Sequence, residues 1–457
     1  MRATSIALTG LLAISLLAVP TEGASWKAGV ARANITPTEY MPMAGYASRG
    51  REPAHGKQTE LWAKACVLEP AEGDRVALIT LDLVGIDREL SRQICDRLKS
   101  EYGLQREQIA INTSHTHSGP VVQGNLRPMY ATLLTDADQS LVQRYADQLQ
   151  VHIASIVGDA IKNLAPAELD WGSGTATFAV NRRNNPEKDV PQLRETGQLK
   201  GPVDHAVPVL RIRREGKPIA VLFGYACHNT TLSGFEWSGD YAGYAQIELE
   251  RMLPGCQAMY WAGCGADQNP IPRRNVELAE KYGLELAQAV KATVDEPMQV
   301  VPSQLTARYA EIPLPFDSLP SRETLEQDAK SSNVYVAARA QSLLAELEAG
   351  QPLSPTYPYP VSSWRLGNDI HWVFLGGEVV VDFVNRIKQE RGNEAVQASN
   401  VWVAGYTHDV MAYIPSRRVL TEGGYEGGGA MVYYGLPSPW GPDVEELILD
   451  EVNRQLK

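Results

Sequence analysis

The stretch over residues 76–119 constrains the fold more than any other part of this 457-residue chain. Residues 76–86 read VALITLDLVGI, a nearly unbroken apolar run typical of a strand that is buried on both faces. Residues 88–102 follow with helical periodicity, directly after Asp87, a residue type that caps helices well. The run IAIN at residues 109–112 predicts a second strand. This β-α-β order predicts parallel neighbours in a sheet, with ligands collecting at the carboxyl ends of the strands.

Two histidines, His115 and His117, follow the second strand in a turn rich in serine and threonine. In an extended H-x-H segment both imidazoles point to the same side, because side chains alternate with period two. Neutral imidazoles are ready zinc ligands, and neighbouring hydroxyl groups orient their rings. The pair therefore predicts a metal site at the carboxyl end of the strand. The same residues are also compatible with two solvated histidines in a polar loop.

The rest of the chain alternates strand and helix patterns without a tandem repeat or a clear linker. Long helices are predicted at residues 140–163, 276–293 and 322–348, between apolar runs of strand length. The composition, 44% apolar and 21% charged, is that of a globular protein. We therefore expect an α/β fold in which mixed sheets are flanked by helices, in one large domain over residues 25–457.

The amino terminus has the pattern of a secretory signal. Met1 and Arg2 precede an apolar run over residues 5–19, and a small, polar segment follows. We expect residues 1–24 to be cleaved and the protein to be secreted or periplasmic, with an uncleaved anchor as the alternative. The net charge of −12 argues against nucleic acid or an anionic membrane surface as the main partner.

The cysteine spacing matches no zinc-ribbon pattern. In an exported protein a disulfide is one option, and Cys256 with Cys264 is the local candidate pair. The other option is that the cysteines are buried as small apolar side chains.

Further metal-binding candidates follow other apolar runs. The strand pattern of residues 219–227 stops at His228, and the run HWVFL leads to Glu378. Another run, over residues 401–405, leads into a loop that contains Tyr413. Two histidines and one carboxylate, with one position left open for water, form a recurring catalytic zinc site. Such a metal lowers the pKa of its water from about 15.7 to near 7.

Four segments, in order along the chain, carry a resemblance to a known family. They are NTSHTHSGP at residues 112–120, ACHNTT with SGDYAGYA at 226–245, GGE at 376–378, and AYIPS with EGGYE at 412–426. They resemble the neutral (non-lysosomal) ceramidases, secreted or membrane-associated zinc amidases that split N-acylsphingosine into sphingosine and fatty acid. The resemblance implies the fold of that family, a Zn²⁺ cofactor and amide hydrolysis by zinc-activated water.

The resemblance also implies roles for seven residues. It places the zinc ligands on His115, His228, Glu378 and Tyr413, the second histidine of the signature on His117, a substrate-facing arginine on Arg182, and a further site tyrosine on Tyr425.

The chain departs from the family pattern in one loop. Residues 264–270 read CGADQNP, whereas the family reads roughly CGDVSPN, so Asn269 takes the place of the catalytic serine, or Gln268 if the gap falls differently. An amide donates hydrogen bonds but is not a nucleophile. We therefore predict that Asn269 or Tyr425 helps to hold the developing oxyanion, while His117 protonates the leaving amine. We expect no immunoglobulin-like C-terminal domain, so related N-acyl amines are alternative substrates to N-acylsphingosine.

Two other functions fit the same sequence. A zinc amidohydrolase of the (β/α)₈ barrel class also carries H-x-H on a strand. A ceramidase-like export that has lost catalysis would instead bind lipid or carbohydrate. We expect a small N-acyl amine or sphingolipid as the substrate, while peripheral contact with a membrane and the oligomeric state stay open.

Overall fold

The computed structural model describes residues 26–131, 133–392 and 398–457, so the predicted signal at residues 1–24 lies outside the described part. In chain order, the described strands are β1 (Trp26–Asn34), β2 (Gly56–Lys57), β3 (Trp62–Glu69), β4 (Val76–Leu81), β5 (Ile109–Thr113), β6 (Ala165–Thr175), β7 (Ala179–Asn181), β8 (Ala206–Arg214), β9 (Lys217–Tyr225), β10 (Glu236–Trp237), β11 (Gln257–Ala262), β12 (Gln268–Pro270), β13 (Gln299–Val300), β14 (Leu305–Pro315), β15 (Thr356–Leu366), β16 (Ile370–Leu375), β17 (Glu378–Val379), β18 (Val401–Ala404) and β19 (Tyr413–Ile414). The helices are α1 (Arg88–Tyr102), α2 (Arg127–Ala131), α3 (Asp136–Lys162), α4 (Val190–Glu195), α5 (Asp240–Met252), α6 (Val276–Asp295), α7 (Arg322–Asp328), α8 (Val334–Glu348), α9 (Val381–Arg391), α10 (Arg417–Glu422), α11 (Met431–Tyr434) and α12 (Val444–Gln455).

Most strands belong to two sheets. The larger sheet has nine strands in the order β11-β9-β8-β6-β1-β3-β4-β5, with β13 pairing at β6. Its neighbours are antiparallel except at the two ends, where β11 is parallel to β9 and β4 is parallel to β5. The second sheet has the order β14-β15-β16-β18, and β16 is parallel to β18. The mixed sheets and the β4-α1-β5 unit confirm the predicted fold class, and the (β/α)₈ barrel alternative is wrong.

The sheets stack face to face, and helices cover their outer faces. In β3, Ala65 and Val67 pack against the layer of α1 and α3, whereas Cys66 and Leu68 face the second sheet, as period-two alternation requires. Helices α5 and α6 cover the other half of the larger sheet, and α9 and α12 cover the second sheet. Tryptophans fill much of the space between the sheets, namely Trp171, Trp261, Trp364, Trp372 and Trp402.

Several elements agree with the sequence and others differ. Helix α1 spans the predicted residues 88–102, and the Asp87 side chain caps it by accepting a hydrogen bond from the Leu90 N–H. The predicted helix over residues 322–348 is two helices, α7 and α8. Strand β4 ends at Leu81, five residues earlier than predicted, because the following backbone turns into the site described below.

The cysteines test one further expectation. All five cysteines are free and buried, so a Cys256–Cys264 disulfide is absent and burial as small apolar side chains is confirmed. Cys256 packs in the core beneath α5 and α6, whereas Cys264 packs in the core under α9 and α12. Among the described helices, none combines the length and the apolar character needed to cross a bilayer.

Candidate metal centre and its rim

The carboxyl ends of strands from both sheets meet at one point, where a buried asparagine joins them. Asn112, in β5, accepts a hydrogen bond from the Ala262 N–H of β11 at 2.8 Å. Its amide donates to the carbonyl oxygen of Gly405 at 2.7 Å and to the Thr407 hydroxyl oxygen at 3.0 Å, just beyond β18. The loops that follow these strands are therefore held together, and the site lies among them.

His115 lies in a turn rather than in an extended strand. Strand β5 ends at Thr113, and His115 has a φ of 60°. Its backbone N–H donates to the Leu83 carbonyl oxygen at 2.9 Å, and its Nδ1–H donates to the carbonyl oxygen of Val84. The predicted extended H-x-H geometry is thus wrong. The turn nevertheless brings the Nε2 atoms of His115 and His117 to 3.1 Å from each other.

His228 follows β9 and reaches the same point from the other end of the larger sheet. Its backbone N–H donates to the carbonyl oxygen of Gln268 at 2.8 Å, and its Nδ1–H donates to that of Gly265 at 3.0 Å. A proton held on Nδ1 leaves the lone pair of Nε2 available to a metal. Burial lowers the pKa of His228 to about 4, and the charge of Arg182 acts in the same direction, so the imidazole is neutral at pH 7.

Glu378 comes from the second half of the chain. It lies in β17, which pairs with β19 so that Glu378 is opposite Tyr413. Its Oε2 atom is 3.2 Å from the Nε2 atoms of both His115 and His228. Burial raises the pKa of the Glu378 carboxyl, but attraction to the two imidazoles outweighs it and holds the pKa well below its usual value. Helix α9 begins only at Val381, so capping of that helix does not explain the position of Glu378.

The donor atoms at this point fit a divalent cation. The ligand nitrogens of His115, His117 and His228 all lie within 4.8 Å of one another. Among the described residues, neither the buried Nε2 of His228 nor the buried Oε2 of Glu378 has a hydrogen-bond partner. Buried polar atoms normally have partners, and converging nitrogen and carboxylate lone pairs are a donor set typical of Zn²⁺. His117 is close enough to be a ligand itself.

Two tyrosines that the sequence did not assign to the site support these ligands. The Tyr406 ring lies 4.4 Å from that of His115, between ring centroids, and its hydroxyl oxygen is 3.5 Å from Nδ1 of His228. The Tyr434 hydroxyl donates to Oε1 of Glu378. Tyr406 directly follows the strand pattern of residues 401–405, so its position at a strand end could have identified it as a site residue. No sequence pattern points to Tyr434.

A loop near the amino terminus, over residues 41–50, packs against His117. The Tyr46 ring lies 4.7 Å from the His117 ring, between centroids. Arg49 is buried and donates to the backbone carbonyl oxygens of His117 and, at 2.7 Å, Gly234. At Gly45, which has a φ of 97°, a Cβ atom would lie 2.4 Å from the His117 ring, so this close approach requires glycine.

Arg182 connects the residues at the rim of the centre. Its Nη2–H donates to the Tyr413 hydroxyl oxygen at 3.1 Å, and its Nη1–H donates to Oδ1 of Asn269 at 3.2 Å. Its Nε–H donates to Glu426 at 2.7 Å, and Glu426 also accepts from Arg183 at 2.6 Å. All three nitrogens of the Arg182 guanidinium are therefore engaged, and its role in binding substrate stays a prediction.

A cavity of about 540 Å³ adjoins this rim. It is lined by Arg182, Asn269 and Tyr425, among other residues. Tyr425 is 46% exposed, and its ring lies 5.2 Å from the Tyr413 ring, between centroids. Together with the centre, this rim brings all eight predicted site residues into one continuous set of contacts, namely His115, His117, Arg182, His228, Asn269, Glu378, Tyr413 and Tyr425.

Fold and site define a two-sheet α/β protein with a candidate metal centre at the strand ends. A sequence model described as "Neutral/alkaline non-lysosomal ceramidase, N-terminal" matches residues 26–268, which is more than half of the chain. This protein therefore belongs to the neutral/alkaline non-lysosomal ceramidase family. The matched region includes His115 and His228, but it ends one residue before Asn269 and does not reach Glu378.

The chain is also similar to particular proteins. A neutral ceramidase of Drosophila pseudoobscura pseudoobscura is 27% identical over 284 residues, which cover 59% of this chain and 39% of the relative. Neutral ceramidase 2 of Arabidopsis thaliana is 27% identical over 229 residues, which cover 49% of this chain and 29% of the relative. The match thus spans well under half the length of these curated relatives.

The solved structure of neutral ceramidase from Pseudomonas aeruginosa aligns with a TM-score of 0.71 at 20% identity, over 95% of this chain and 74% of that chain. A ceramidase complexed with C2 aligns with the same TM-score at 18% identity, over 95% and 75% of the two chains. These likenesses establish the fold over nearly the whole chain.

Proposed function

We propose that this protein is an exported, zinc-dependent amide hydrolase of the neutral ceramidase type. Its substrate would be N-acylsphingosine or a related N-acyl amine, and its products a fatty acid and an amine. One observation carries the proposal. Three histidine nitrogens and the Glu378 carboxylate converge in a buried centre, in a chain that belongs to this family.

The ligand set proposed for Zn²⁺ is His115, His228 and Glu378, with Tyr413 as the fourth. When bound, zinc supplies a Lewis acid for the amide carbonyl and makes a water acidic enough to ionise near pH 7. The Nε2 atom of His117 is directed to the same centre. Burial holds the pKa of His117 well below its usual value, so the neutral imidazole is placed to take a proton from the attacking water and then to give it to the leaving amine.

Arg182 fixes the orientation of the Asn269 amide. A guanidinium has donors but no acceptor, so the Asn269 side chain must turn its oxygen toward Arg182. Both amide hydrogens then remain for another partner, and Asn269 lines the cavity at the rim. We infer that this amide donates to the substrate carbonyl oxygen as negative charge develops there. An oxyanion donor of this kind contributes roughly 3 kcal/mol to catalysis.

The cavity at the rim favours the polar end of a substrate. Arginine and glutamate side chains form much of its lining, including Arg183, Arg273, Glu187 and Glu426. Charged and hydrogen-bonding walls suit the amine and hydroxyl groups of the substrate better than its acyl chain. If the substrate is a lipid, peripheral contact with a membrane would deliver it. Export is supported by the signal pattern of the first 24 residues.

A binding protein without catalysis is the second candidate, because Asn269 replaces the serine expected at this position. One experiment separates the two. The purified protein is assayed for zinc and for hydrolysis of a panel of N-acyl amines, including N-acylsphingosine, before and after treatment with a chelator. We expect roughly one zinc per chain and hydrolysis that the chelator abolishes and added zinc restores. Metal-free protein that folds, binds lipid and hydrolyses no amide would contradict the proposal.

A further inference from the structure

The two oxygens of the Glu378 carboxylate have different surroundings. Oε2 is 3.2 Å from the Nε2 atoms of both His115 and His228. Oε1 accepts a hydrogen bond from the hydroxyl of Tyr434. The phenol therefore occupies one oxygen and leaves the other to the histidine nitrogens.

We propose that Tyr434 is a positioning residue for the metal centre, whose hydroxyl fixes Glu378 so that one carboxylate oxygen alone faces the cation. A carboxylate can bind a metal through one oxygen or through both. A donor on the second oxygen favours one-oxygen binding and fixes the rotation of the carboxylate. Hydrogen-bond partners of ligating groups contribute about 10–100-fold to metal affinity. This inference rests on the metal site of the proposed function.

The backbone around Tyr434 gives the ring a defined place. Tyr434 is the last residue of α11, and Gly435 ends that helix with a φ of 82°. The same ring lines a second cavity of about 410 Å³, together with Arg88 and Tyr357. The ring thus lies between Glu378 and a space with charged walls. Phenylalanine at this position keeps that separation and removes only the donor.

The test compares zinc affinity, measured by competition with a chromogenic chelator, for the wild type, Tyr434→Phe and Tyr433→Phe. Tyr433 is the matched control, because it lies on the same helix and its ring packs 5.0 Å from that of Tyr335, between centroids. We expect Tyr434→Phe to bind zinc about 10–100-fold more weakly and Tyr433→Phe to stay within about twofold of the wild type.

Cobalt gives a readout that a loss of packing would not move. In the Co²⁺-loaded protein, Tyr434→Phe should change the visible d–d bands, because the freed oxygen can also coordinate. Should Tyr434→Phe not fold, Tyr434→Met removes the same donor with a more flexible side chain.

Wild-type affinity and an unchanged cobalt spectrum in Tyr434→Phe would overturn the inference. Equal weakening in Tyr433→Phe would overturn it as well, because helix packing would then be the cause. A wild-type protein that binds no zinc would instead remove the proposed metal site itself, before any variant is compared.

Discussion

The centre and the rim of the site are held by different kinds of bond. At the centre, the rings of His115 and His228 are almost fully buried and donate to the main-chain carbonyls of Val84 and Gly265. At the rim, Arg182 is held by other side chains, and its own side chain is 20% exposed. Main-chain partners persist as long as the fold does, whereas side-chain partners change with a single substitution. The two histidines should therefore keep their orientation when neighbouring side chains are substituted, whereas substitutions at the rim should alter rate and substrate.

The departure from the family pattern fits this difference. Asn269, which replaces the expected serine, belongs to the rim and takes its hydrogen bond from Arg182. At the centre the sequence resemblance implied no comparable departure, because it placed ligands on His115, His228 and Glu378. The variants below are ordered from the largest expected effect to the smallest.

Glu378→Gln should abolish metal binding at the centre. Loss of the carboxylate charge should release zinc and lower kcat/KM by about 1,000-fold or more, since a catalytic metal contributes several kcal/mol. Zinc content and amide hydrolysis are the measurements. His152→Ala, at an exposed position on α3, is the control and should keep both properties. Full zinc content in Glu378→Gln would mean that this carboxylate is not a ligand.

Asn269→Asp should lower catalysis through the rim without changing metal binding at the centre. Aspartate keeps an oxygen for Arg182 but has no amide hydrogens, so we expect kcat to fall by about 100–1,000-fold while zinc content stays unchanged. Asn269→Ser, which retains a hydroxyl donor, should lose less. Steady-state kinetics with one N-acyl amine checks both. Unchanged kcat in Asn269→Asp would exclude the amide as a donor to the oxyanion.

Glu426→Gln should weaken the rim itself. The Glu426 side chain is 5% exposed and pairs with both Arg182 and Arg183, so its neutralisation should lower the free energy of unfolding by about 2 kcal/mol. Glu422→Gln is the matched control, because the Glu422 side chain is 43% exposed and should change stability by less than about 0.5 kcal/mol. Urea unfolding measures both. Equal effects of the two variants would show that burial of the pair does not matter.

The free energy of unfolding should depend on pH through Asp409, a buried acid near the centre. Burial raises the pKa of Asp409 to about 7, and its backbone carbonyl accepts from the Gly377 N–H beside Glu378. The folded protein then binds the proton more tightly than the unfolded chain, so this group makes stability fall as pH rises from about 4 to about 7.

Asp409→Asn should flatten that fall by roughly 4 kcal/mol across the interval, since each pH unit between the two pKa values contributes about 1.4 kcal/mol. Denaturant unfolding at several pH values checks it, with Asp147→Asn, at an exposed position on α3, as the control that keeps the wild-type slope. An identical slope in Asp409→Asn would mean that a different group causes the dependence of stability on pH.

The sequence predicted the elements best where the signals are local. Helix α1 matches its predicted bounds because Asp87 caps its start and Gly103, with a φ of 75°, ends it. The single helix predicted over residues 322–348 is wrong. Asn333, whose side-chain oxygen caps the start of α8, was a local signal for the break.

The geometry of the histidine pair was not predictable in this way. Strand β4 was predicted to be too long, and His115 was predicted to be extended. Both errors have one cause. The carbonyl oxygens of Leu83 and Val84 accept hydrogen bonds from His115, about thirty residues further along the chain, so both segments leave the strand conformation. Periodicity within one segment carries no information about such a contact.

By itself, the sequence determined the order of strands and helices and the kinds of side chain that follow the strands, because burial patterns and caps are local properties. Only the tertiary structure decided which atoms meet. The bonds of Tyr434 to Glu378, of Arg182 to Asn269 and of Asn112 to Ala262 join residues 56, 87 and 150 positions apart. Contacts over such separations are set by the packing of elements that are distant in the sequence, which brings the ends of β5, β11 and β18 to one point.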